Sequence, residues 1–574
     1  MARWEGGVCV QDKKESALAE ASPPRWEWLL LIGIFLLAGG IGHDPWKQTE
    51  TYTLGIIYHF FVTGTWLVPV NAGVPFLEKP PIYFWTAVMF CRWFGSVLPF
   101  HDAARLASTF YMAVAVFFFL KLSRSVFHPL PQRKSLRWIA LALLLGSAGM
   151  IFHAHEMATD TALFAGTVIA LHGMALWVCR SGRAWAAGGW LGLGTGIAFM
   201  AKGLVLPGIL AITALILMVL LPGMRTRKAF AAALAAVITA LPFVVIWPLL
   251  LYQHSPDYFR EWFWDNNLGR FLGFSVAKLG AENEPLYFLR VAPLFAFPIF
   301  PLACVEALRA AWKKRWKHDS CALPLTFAIA GMIVLLASAS ARSVYLLPLF
   351  PAFALLAAQM LMRLPPRALA VWNMLLRIAA SIGGAAVWCV WWSLRHPAGP
   401  IFARIAHAVS AWLPLSYMPP GDQAFACLGA AVVAIMWIAS LRFHGRSALN
   451  TAYIWLAAVT LLWGTALTLL LPWINEPKSY RGVFAQLGAF LEHSPYGNEC
   501  IANGGLGENI APMWEYFSGH VAPAEDFNDT TCPLLLIATG RDAPRVLNPR
   551  WEMVWRGSRV LDSKNEQLRL YHRQ

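Results

Sequence analysis

The most regular feature of this chain is a series of apolar runs close to 20 residues long, recurring from Trp28 to Trp473. An α-helix rises 1.5 Å per residue, so a run of roughly 20 apolar residues crosses the hydrocarbon core of a bilayer. The pattern predicts about thirteen membrane-spanning helices. The predicted segments are residues 28–42, 104–126, 136–152, 157–179, 185–201, 204–221, 229–251, 286–308, 322–339, 343–362, 368–393, 424–441 and 451–473.

Basic clusters occupy every second connection between these segments. Because Lys and Arg concentrate in cytoplasmic loops, this alternation predicts a cytoplasmic tail at residues 1–27 and an outer C-terminus. The clusters are Lys121, Arg124, Arg133, Lys134 and Arg137; Arg180 and Arg183; Arg225, Arg227 and Lys228; Arg309, Lys313, Lys314, Arg315 and Lys317; Arg363 and Arg367; and Arg442 and Arg446.

One further apolar segment, residues 80–98, is not assigned as a span. Counting it would move the cluster at residues 121–137 to the outer face, against the charge rule. The segment opens with two prolines and carries Arg92 among aromatic residues, which favours a helix lying on the membrane surface. We therefore predict one long outer loop at residues 43–102 and a second at residues 252–285.

The composition changes from about residue 475, where charge rises and the apolar runs shorten. Ser479–Glu492 has the periodicity of an amphipathic helix, whereas Cys532–Thr539 and Glu566–His572 have strand patterns. A small α/β domain is predicted at residues 474–574, following a transmembrane domain at residues 28–473. It contains Cys500 and Cys532, which can form a disulfide if the domain faces an oxidising compartment.

The overall composition agrees with a membrane protein. The chain is 58% apolar and 13% charged, against roughly 25% charged residues in soluble proteins. Its net charge of +15 lies mostly in short connections between apolar segments. This placement favours contact with anionic membrane lipids, and nucleic acid is not an expected partner.

Four basic residues on the predicted outer face stand out against the charge pattern: Lys79, Lys202, Arg270 and Arg342. Each lies at the end of a predicted helix. Lys79 stands in the run Glu78-Lys79-Pro80-Pro81, where two prolines fix the backbone beside the membrane surface. Since Lys and Arg bind phosphate oxygens well, these exceptions suggest a site for an anion.

Carboxylates occur on the same predicted face, at Asp44, Glu50, Glu156 and Asp160. An acid just outside the first span can act as a base or orient an acceptor, although solvated loop acids and helix caps are the ordinary alternatives. Asp160 is predicted just inside a helix, and an acid at membrane depth is a functional candidate by default. Cations and carboxylates together suggest an enzyme that holds a phosphate and orients a second group.

Two other outer connections carry groups suited to a sugar phosphate. The run from Trp264 to Phe271 combines aromatic residues, two amides and Arg270, which suits sugar stacking and a two-pronged grip on phosphate. Arg342 and Tyr345 lie in a short connection between two spans. Lys202 ends a glycine-rich span, whose glycines are interpreted as close helix packing.

A metal site is not predicted. His153, His155 and Glu156 are close in sequence, but histidines two positions apart do not share one face of a helix. Ordinary loop polarity is therefore favoured for this segment. We expect no required cofactor, because Lys and Arg can neutralise a phosphate without a metal ion.

In their order, these motifs resemble the polyprenyl-phosphate-dependent membrane glycosyltransferases, which include lipid A aminoarabinose transferases and protein O-mannosyltransferases. The resemblance covers about residues 28–360. Its carriers are the acid after the first span, Glu78-Lys79-Pro80-Pro81, Ala104-Arg105-Leu106, His155-Glu156-Met157-Ala158-Thr159-Asp160, Ala201-Lys202-Gly203, Asn267 to Phe271, and Arg342 to Pro348.

The resemblance implies a GT-C fold, a lipid-phosphate-linked sugar donor and acids near the transferred sugar. By motif position, Lys79, Lys202, Arg270, Arg342 and Tyr345 are expected to meet the donor phosphate. Contacts to the acceptor or the sugar are expected from Glu78, Glu156 and Asn267. The catalytic candidates are Asp44, Glu50 and Asp160.

One departure from the family leaves the first-loop acid open. Members usually carry an adjacent Asp-Glu pair before the Tyr of the first interfacial helix, whereas this chain has Thr49-Glu50-Thr51-Tyr52. Either Asp44 has taken the catalytic place or Glu50 works alone.

The expected function is transfer of a sugar from a polyprenyl (undecaprenyl) phosphate to an outer acceptor, lipid A or another cell-envelope glycolipid. The protein would lie in the inner membrane, with its site and C-terminal domain on the periplasmic side. One alternative is a protein acceptor on the same fold. A second is a lipid-linked sugar flippase, whose charges should line a path through the membrane.

Overall fold

The architecture is described from a computed structural model. It covers residues 24–179, 183–276, 284–397, 399–421, 423–443, 446–525, 530–539, 550–562 and 565–574. Residues 1–23 of the predicted cytoplasmic tail, Arg180 and residues 277–283 of the second predicted outer loop lie outside these ranges.

Helices make up most of the described chain. They are α1 (Arg25–Leu37), α2 (Thr49–Thr63), α3 (Ile82–Phe94), α4 (Phe100–Val126), α5 (Arg133–Leu145), α6 (Ala148–His153), α7 (Thr159–Val178), α8 (Ala184–Lys202), α9 (Val205–Leu220), α10 (Arg227–His254), α11 (Pro256–Arg260), α12 (Arg270–Leu272), α13 (Tyr287–Phe295), α14 (Ile299–Trp312), α15 (Asp319–Ala337), α16 (Phe350–Leu361), α17 (Pro366–Arg395), α18 (Pro400–Val409), α19 (Ala424–Ser440), α20 (Ala448–Leu469), α21 (Leu471–Asn475), α22 (Arg481–Glu492) and α23 (Gly507–Ser518). Pro222–Met224 and Ser343–Leu349 are 3-10 turns, and Glu261–Gly269 is π-helical.

The chain is a helical, multi-pass membrane protein with a small C-terminal α/β domain. Each predicted span coincides with helical structure in the described chain. Within the described ranges, 7 segments are long and apolar enough to cross a membrane, or up to 8 if one bent pair counts as a span. The total of about thirteen spans stays a prediction, because several of the matching helices, such as the 13-residue α1, are short.

Two predicted spans are not single helices. The segment 136–152 forms α5 and α6, which are separated by Gly146 and Ser147. The segment 286–308 forms α13 and α14, which meet at 111°. Pro298 lies at the break, where its ring fixes φ and removes a backbone hydrogen-bond donor. The prediction of one continuous helix here was wrong.

Four of the five glycines of α8 serve close helix packing, as predicted, whereas Gly189 faces open space. A Cβ added at Gly194 would lie 2.2 Å from the backbone nitrogen of Ala170 on α7, and one at Gly188 would lie 2.0 Å from the carbonyl oxygen of Ala232 on α10. Small residues thus let these backbones approach closely. This packing brings the start of α7 beside the end of α8.

The C-terminal domain is built on a four-stranded sheet in the order β3-β4-β6-β5. β3 (Ile501–Asn503) and β4 (Leu534–Thr539) pair in parallel, whereas β6 (Gln567–Arg573) runs antiparallel to β4 and to β5 (Trp551–Ser558). A small hairpin, β1 (Val70–Asn71) and β2 (Val74–Pro75), lies in the first loop. The predicted helix and two strands are confirmed, whereas β3, β5 and α23 were not predicted.

A disulfide joins Cys500, directly before β3, to Cys532, two residues before β4. It links two segments that are 32 residues apart in sequence. The pairing that the sequence left open is therefore present in the structure.

Arg105 joins the first loop to the membrane helices. Its side chain is completely buried on α4. Its Nε donates to Glu50 Oε1 at 3.0 Å, Nη1 to Asp102 Oδ1 at 2.9 Å and Nη2 to the carbonyl oxygen of His43 at 3.2 Å. These contacts anchor both ends of residues 43–50 to α4.

Glu50 extends these contacts to residues 153–158, where α6 ends and α7 follows, which we call the second outer connection. Its carboxylate accepts hydrogen bonds from the backbone nitrogens of Met157, at 2.9 Å, and Trp46, at 3.0 Å. Burial raises the pKa of Glu50, but the charges of Arg105 and His43 outweigh burial and lower the pKa to about 2. Glu50 is thus ionised and held on several sides.

Asp44 connects the membrane part to the C-terminal domain. Arg481 donates from Nη2 to Asp44 Oδ1 at 2.5 Å, and Ser479 donates from Oγ to Oδ2 at 2.8 Å. Nearby, Lys47 forms a 2.5 Å ion pair with Glu566. The C-terminal domain is therefore docked on the first loop through charged contacts.

We expect Glu50→Gln to destabilise the protein at pH 7 by about 3 kcal/mol, because it removes one of the two carboxylates that neutralise the buried Arg105. The folded-state pKa of Glu50 lies below its ordinary value of 4.5, so its contribution is complete above that pH and is lost as the pH falls toward 2. The stability difference from wild type should therefore shrink below pH 4.5. Thermal unfolding in detergent, followed by tryptophan fluorescence at pH 7 and pH 3.5, measures it.

Glu284→Gln is the matched control, because Glu284 forms an exposed ion pair with Arg290. This change should alter stability by less than about 1 kcal/mol. Equal melting temperatures for Glu50→Gln and wild type at pH 7 would contradict the assignment, as would a difference that persists unchanged at pH 3.5.

Candidate functional site

A cavity at the ends of several membrane helices collects most of the predicted phosphate-binding residues. Lys79, Lys202, Arg270 and Tyr345 come from four separate segments and all line it. The full lining is Glu78, Lys79, Leu163, Lys202, Gly203, Val205, Leu206, Ile209, Asn266, Asn267, Arg270, Phe271, Leu335, Ser338, Ser340, Tyr345, Pro348 and Leu349. We call this space the first cavity. Its lining therefore combines charged side chains with an apolar surface.

Lys202 and Asp160 form an ion pair beside this cavity. The Lys202 Nζ lies 2.5 Å from Asp160 Oδ1 and 4.9 Å from the centroid of the Tyr345 ring. Asp160 stands in the first turn of α7, as predicted, and Lys202 ends α8. The helix dipole favours a carboxylate at a helix N-terminus and a cation at a helix C-terminus. The dipoles of α7 and α8 therefore stabilise Asp160 and Lys202 at these positions.

Gly203 holds the end of α8 against the second outer loop. It has a φ of +83°, and an added Cβ would lie 1.8 Å from Asn267 Oδ1. That oxygen accepts a hydrogen bond from the backbone nitrogen of Leu204 at 3.3 Å. Only glycine adopts this backbone conformation and leaves room for the Asn267 side chain. The contact with Asn267 therefore holds the end of α8, where Lys202 lies, in place.

Arg270 donates two hydrogen bonds to the Glu78 carboxylate. The distance from Nη1 to Oε2 is 3.1 Å, and that from Nη2 to Oε1 is 2.7 Å. Burial raises the pKa of Glu78, but Arg270 outweighs it, followed by Lys79 and Arg342, so the pKa lies below its ordinary value. Arg342 does not line the first cavity among the described residues, although it acts electrostatically on Glu78. Arg342 therefore acts on this site through its charge, without forming part of the cavity lining.

Lys79 is held by an aromatic residue rather than a carboxylate. Its Nζ donates to the hydroxyl of Tyr52 and lies 4.4 Å from the centroid of the Tyr52 ring. Burial lowers the pKa of Lys79, but Tyr52, Glu78 and Asp160 outweigh burial and raise it. Lys202 and Arg270 already have ion-pair partners, whereas no described carboxylate oxygen lies within 4 Å of Lys79 Nζ.

The two predicted first-loop acids do not line the first cavity. Asp44 is buried and bonded to Arg481 and Ser479. Burial raises its pKa, but hydrogen bonds from these two residues outweigh burial, so the pKa lies below the ordinary value. Glu50 faces a different space, and the catalytic roles of both acids stay predictions.

A second cavity, of about 830 Å³, lies where the membrane helices meet the C-terminal domain. Glu50 and Glu156 line it, whereas the predicted site residues Asp44, Asp160 and Arg342 are in neither lining. The lining is Gly39, His43, Trp46, Lys47, Gln48, Glu50, Phe152, His153, His155, Glu156, Ala411, Trp412, Leu413, Trp463, Leu467, Ile474, Pro477, Lys478, Arg559, Leu561 and Asp562.

The histidines of the second outer connection have separate partners. His153 Nδ1 lies 2.7 Å from Glu156 Oε2, whereas the ring of His155 hydrogen-bonds to backbone oxygens of Phe35 and Ile151. Within the described residues, no three His, Cys, Asp or Glu side chains are grouped to hold a metal ion.

Sequence reasoning missed two residues beside the first cavity. Tyr52 was noticed only as part of a family motif, although it contacts Lys79. Glu508, on α23 of the C-terminal domain, interacts electrostatically with Glu78 and Lys79. Burial raises the pKa of Glu508, and Glu78 raises it further. No sequence signal pointed to Glu508, because its proximity depends on how the two domains dock.

No family model matches the sequence. Among curated proteins, the chain is similar to undecaprenyl phosphate-alpha-4-amino-4-deoxy-L-arabinose arabinosyl transferase 2 of Pseudomonas fluorescens, at 28% identity over 327 residues, covering 54% of this chain and 52% of the relative. It is also similar to the corresponding transferase of Pseudomonas aeruginosa strain LESB58, at 29% over 296 residues, covering 50% of each. The chain thus spans about half the length of the curated relatives it matches.

Among solved structures, ArnT from Cupriavidus metallidurans bound to undecaprenyl phosphate matches with a TM-score of 0.68. The identity is 17%, and the match covers 95% of this chain and 97% of that chain. Its apo structure gives a TM-score of 0.67 at the same coverage. The chain therefore has the fold of ArnT and resembles undecaprenyl-phosphate aminoarabinose transferases in sequence over about half its length.

Proposed function

We propose that this protein is a membrane glycosyltransferase that moves a sugar from an undecaprenyl phosphate donor to lipid A or another cell-envelope glycolipid. The observation that carries the proposal is the convergence of Lys79, Lys202, Arg270 and Tyr345 in one partly apolar cavity. A lipid phosphate needs both properties, because its head group is anionic and its chain is apolar. The named relatives support the sugar donor.

The cations would stabilise the leaving phosphate. As the bond between the sugar and the phosphate breaks, negative charge develops on the phosphate oxygen, and positive groups already in place lower the barrier. Arg270 and Lys202 are held by Glu78 and Asp160 before the donor arrives. Because Lys79 lacks a carboxylate partner in the described chain, we propose that it gives the donor its strongest single contact.

Glu78, which lines the first cavity, and Asp160, which pairs with Lys202 beside it, would then serve the sugar. A carboxylate can orient sugar hydroxyls or stabilise positive charge on the sugar as the glycosidic bond breaks. Asp160 and Glu78 each have a cation on one side, which keeps them placed beside the donor. This mechanism requires no metal ion, because the phosphate charge is met by Lys and Arg.

We further propose that both cavities and the C-terminal domain lie on the periplasmic side of the inner membrane. Two independent observations support this orientation. The basic clusters alternate along the chain as cytoplasmic loops do. The Cys500–Cys532 disulfide belongs to the C-terminal domain, and such bonds persist in oxidising compartments.

We expect Lys79→Ala and Asp160→Asn each to reduce sugar transfer by at least about 100-fold, because each removes a charge at the reacting centre. The assay uses purified protein with undecaprenyl phosphate-linked 4-amino-4-deoxy-L-arabinose and lipid A, and detects the product by mass spectrometry. Lys313→Ala, at an exposed position in a predicted cytoplasmic cluster, is the control and should keep full activity. Wild-type turnover in either site variant would remove the proposed site.

We also expect Arg270 and Arg342 to contribute differently to the binding of undecaprenyl phosphate. Arg270→Ala should weaken binding of undecaprenyl phosphate by about 10-fold or more, because Arg270 lines the cavity and its loss frees Glu78 to repel the phosphate. Arg342→Ala should weaken binding by less than about 3-fold, since Arg342 acts only at longer range. Microscale thermophoresis in detergent measures both constants, and a larger effect for Arg342 would contradict this division.

A further inference from the structure

A small space of about 50 Å³ lies where α14 ends, α15 begins and α16 ends. We call it the basic pocket, because arginines from two helices and the connection between them line it. Its charged and amide lining includes Glu306, Arg309, Arg315, Gln359 and Arg363. One water molecule needs roughly 10–15 Å³ of such space, so the basic pocket admits a few small polar groups but no large ligand.

The basic pocket and the first cavity lie at opposite ends of the same helices. On α15, Cys321 lines the basic pocket and Leu335 lines the first cavity. Leu349, directly before α16, lines the first cavity, whereas Gln359, near the end of α16, lines the basic pocket. A helical rise of 1.5 Å per residue separates Cys321 from Leu335 by about 21 Å, most of the hydrocarbon core of a bilayer. The basic pocket therefore belongs to the other membrane surface, which the charge pattern predicts to be cytoplasmic.

The basic pocket lies at the depth of lipid head groups. A segment long and apolar enough to cross a membrane begins at Ser320, which lines the pocket. Trp312 and Trp316, at and after the end of α14, are 89% and 37% exposed. Tryptophan concentrates at the boundary between hydrocarbon and water. The phosphates of the membrane lipids are therefore within reach of the pocket.

The chain folds back at the end of α14 and brings Arg315 to the basic pocket. The backbone nitrogens of Lys314 and Arg315 donate to the carbonyl oxygens of Ala311, at 3.1 Å, and Ala310, at 2.8 Å. This is the Schellman arrangement, in which the first residue past the helix end takes a left-handed conformation, here Lys314 with a φ of +53°. Arg315 consequently lines the same space as Arg309 of the last helical turns.

Positive charge is in excess around the basic pocket. Glu306 pairs with Arg363, whose Nη1 lies 2.7 Å from Oε1. Arg309 and Arg315 also act electrostatically on Glu306. Within the described ranges, however, no carboxylate oxygen lies within 4 Å of either of these two guanidinium groups. Both are therefore available to an anion, and guanidinium binds phosphate oxygens in a two-pronged geometry.

Glu306 indicates a second group on the ligand. It is only 2% exposed, and its buried Oε2 has no hydrogen-bond partner in the described part of the chain. A buried carboxylate oxygen without a partner is costly, so a ligand that supplies a hydrogen-bond donor is favoured. An ammonium donor would be repelled by the surrounding arginines, whereas a neutral hydroxyl would not. The lining therefore suits a phosphate that carries a hydroxyl group nearby.

We propose that the basic pocket binds the head group of an anionic phospholipid that carries a free hydroxyl, such as phosphatidylglycerol. Arg309 and Arg315 bind the phosphate, and the head-group hydroxyl donates to Glu306 Oε2. Basic pockets between membrane helices on the cytoplasmic side are suited to lipid head groups of this kind. The site is separate from the first cavity, and it does not depend on the proposed sugar transfer.

Native mass spectrometry of the full chain in detergent tests the proposal through the dissociation constant of the first bound lipid. Phosphatidylglycerol should bind about 10-fold more tightly than phosphatidylethanol, which has the same charge but no head-group hydroxyl. Arg315→Ala should weaken phosphatidylglycerol binding by about 10-fold, because it removes a guanidinium that binds the phosphate. Lys317→Ala is the matched control, since Lys317 is an exposed cation of the same cluster outside the lining, and it should change binding by less than about 3-fold.

Glu306→Met tests the hydroxyl contact, because it removes the carboxylate and keeps a side chain of similar length. This variant should bind the two lipids equally. Equal affinities in the wild-type protein would overturn the hydroxyl contact, and equal effects of Arg315→Ala and Lys317→Ala would overturn the site. Binding of sn-glycerol 3-phosphate in place of phosphatidylglycerol would overturn the lipid assignment. These comparisons use the wild-type protein and exposed positions, so they decide the proposal even if Glu306→Met does not fold.

Discussion

The arrangement of both cavities depends on one buried guanidinium, that of Arg105. It is inaccessible to solvent and is neutralised by Glu50 and Asp102, which come from either side of the first loop. A buried charge that loses its partner is costly, so the loop has little freedom to move away. Glu50 passes the constraint to Met157, in the second outer connection. The first loop and the second outer connection are thus linked to α4 by one continuous set of hydrogen bonds.

Close helix packing supplies the second constraint. Small residues on α7 and α8 let two helix ends meet, and this places Asp160 against Lys202. The pairing of Lys202 and Arg270 with carboxylates means that the positive groups are oriented before any ligand enters. Preorganised charge of this kind stabilises a developing anion without the cost of rearranging the site. Lys79, bonded to the Tyr52 hydroxyl, adds positive charge without such a partner.

The sequence predicted the helical segments, the C-terminal domain and an anion site formed by Lys79, Lys202, Arg270 and Arg342, of which the first three line one cavity. These features follow from local hydrophobicity and from charges that break the positive-inside pattern. The sequence could not show that Asp44 binds Arg481, because the two residues are 437 positions apart and Arg481 stands in no motif.

The bend at Pro298 and the place of Glu508 were also missed. Proline alone does not distinguish a kink from a break of 111°, and the position of Glu508 follows from domain docking. The choice between Asp44 and Glu50 as catalytic acid is not decided by contacts either. Both carboxylates are engaged in hydrogen bonds that hold the first loop.

The central claim is that the first cavity holds the head group of a lipid phosphate. It is tested most directly by a cryo-EM structure of the protein in nanodiscs containing undecaprenyl phosphate. The account predicts density for the phosphate between Lys79 and Arg270, with the lipid chain along Leu206 and Leu335. A head group bound in the second cavity, or at the basic cluster around Lys313, would contradict it.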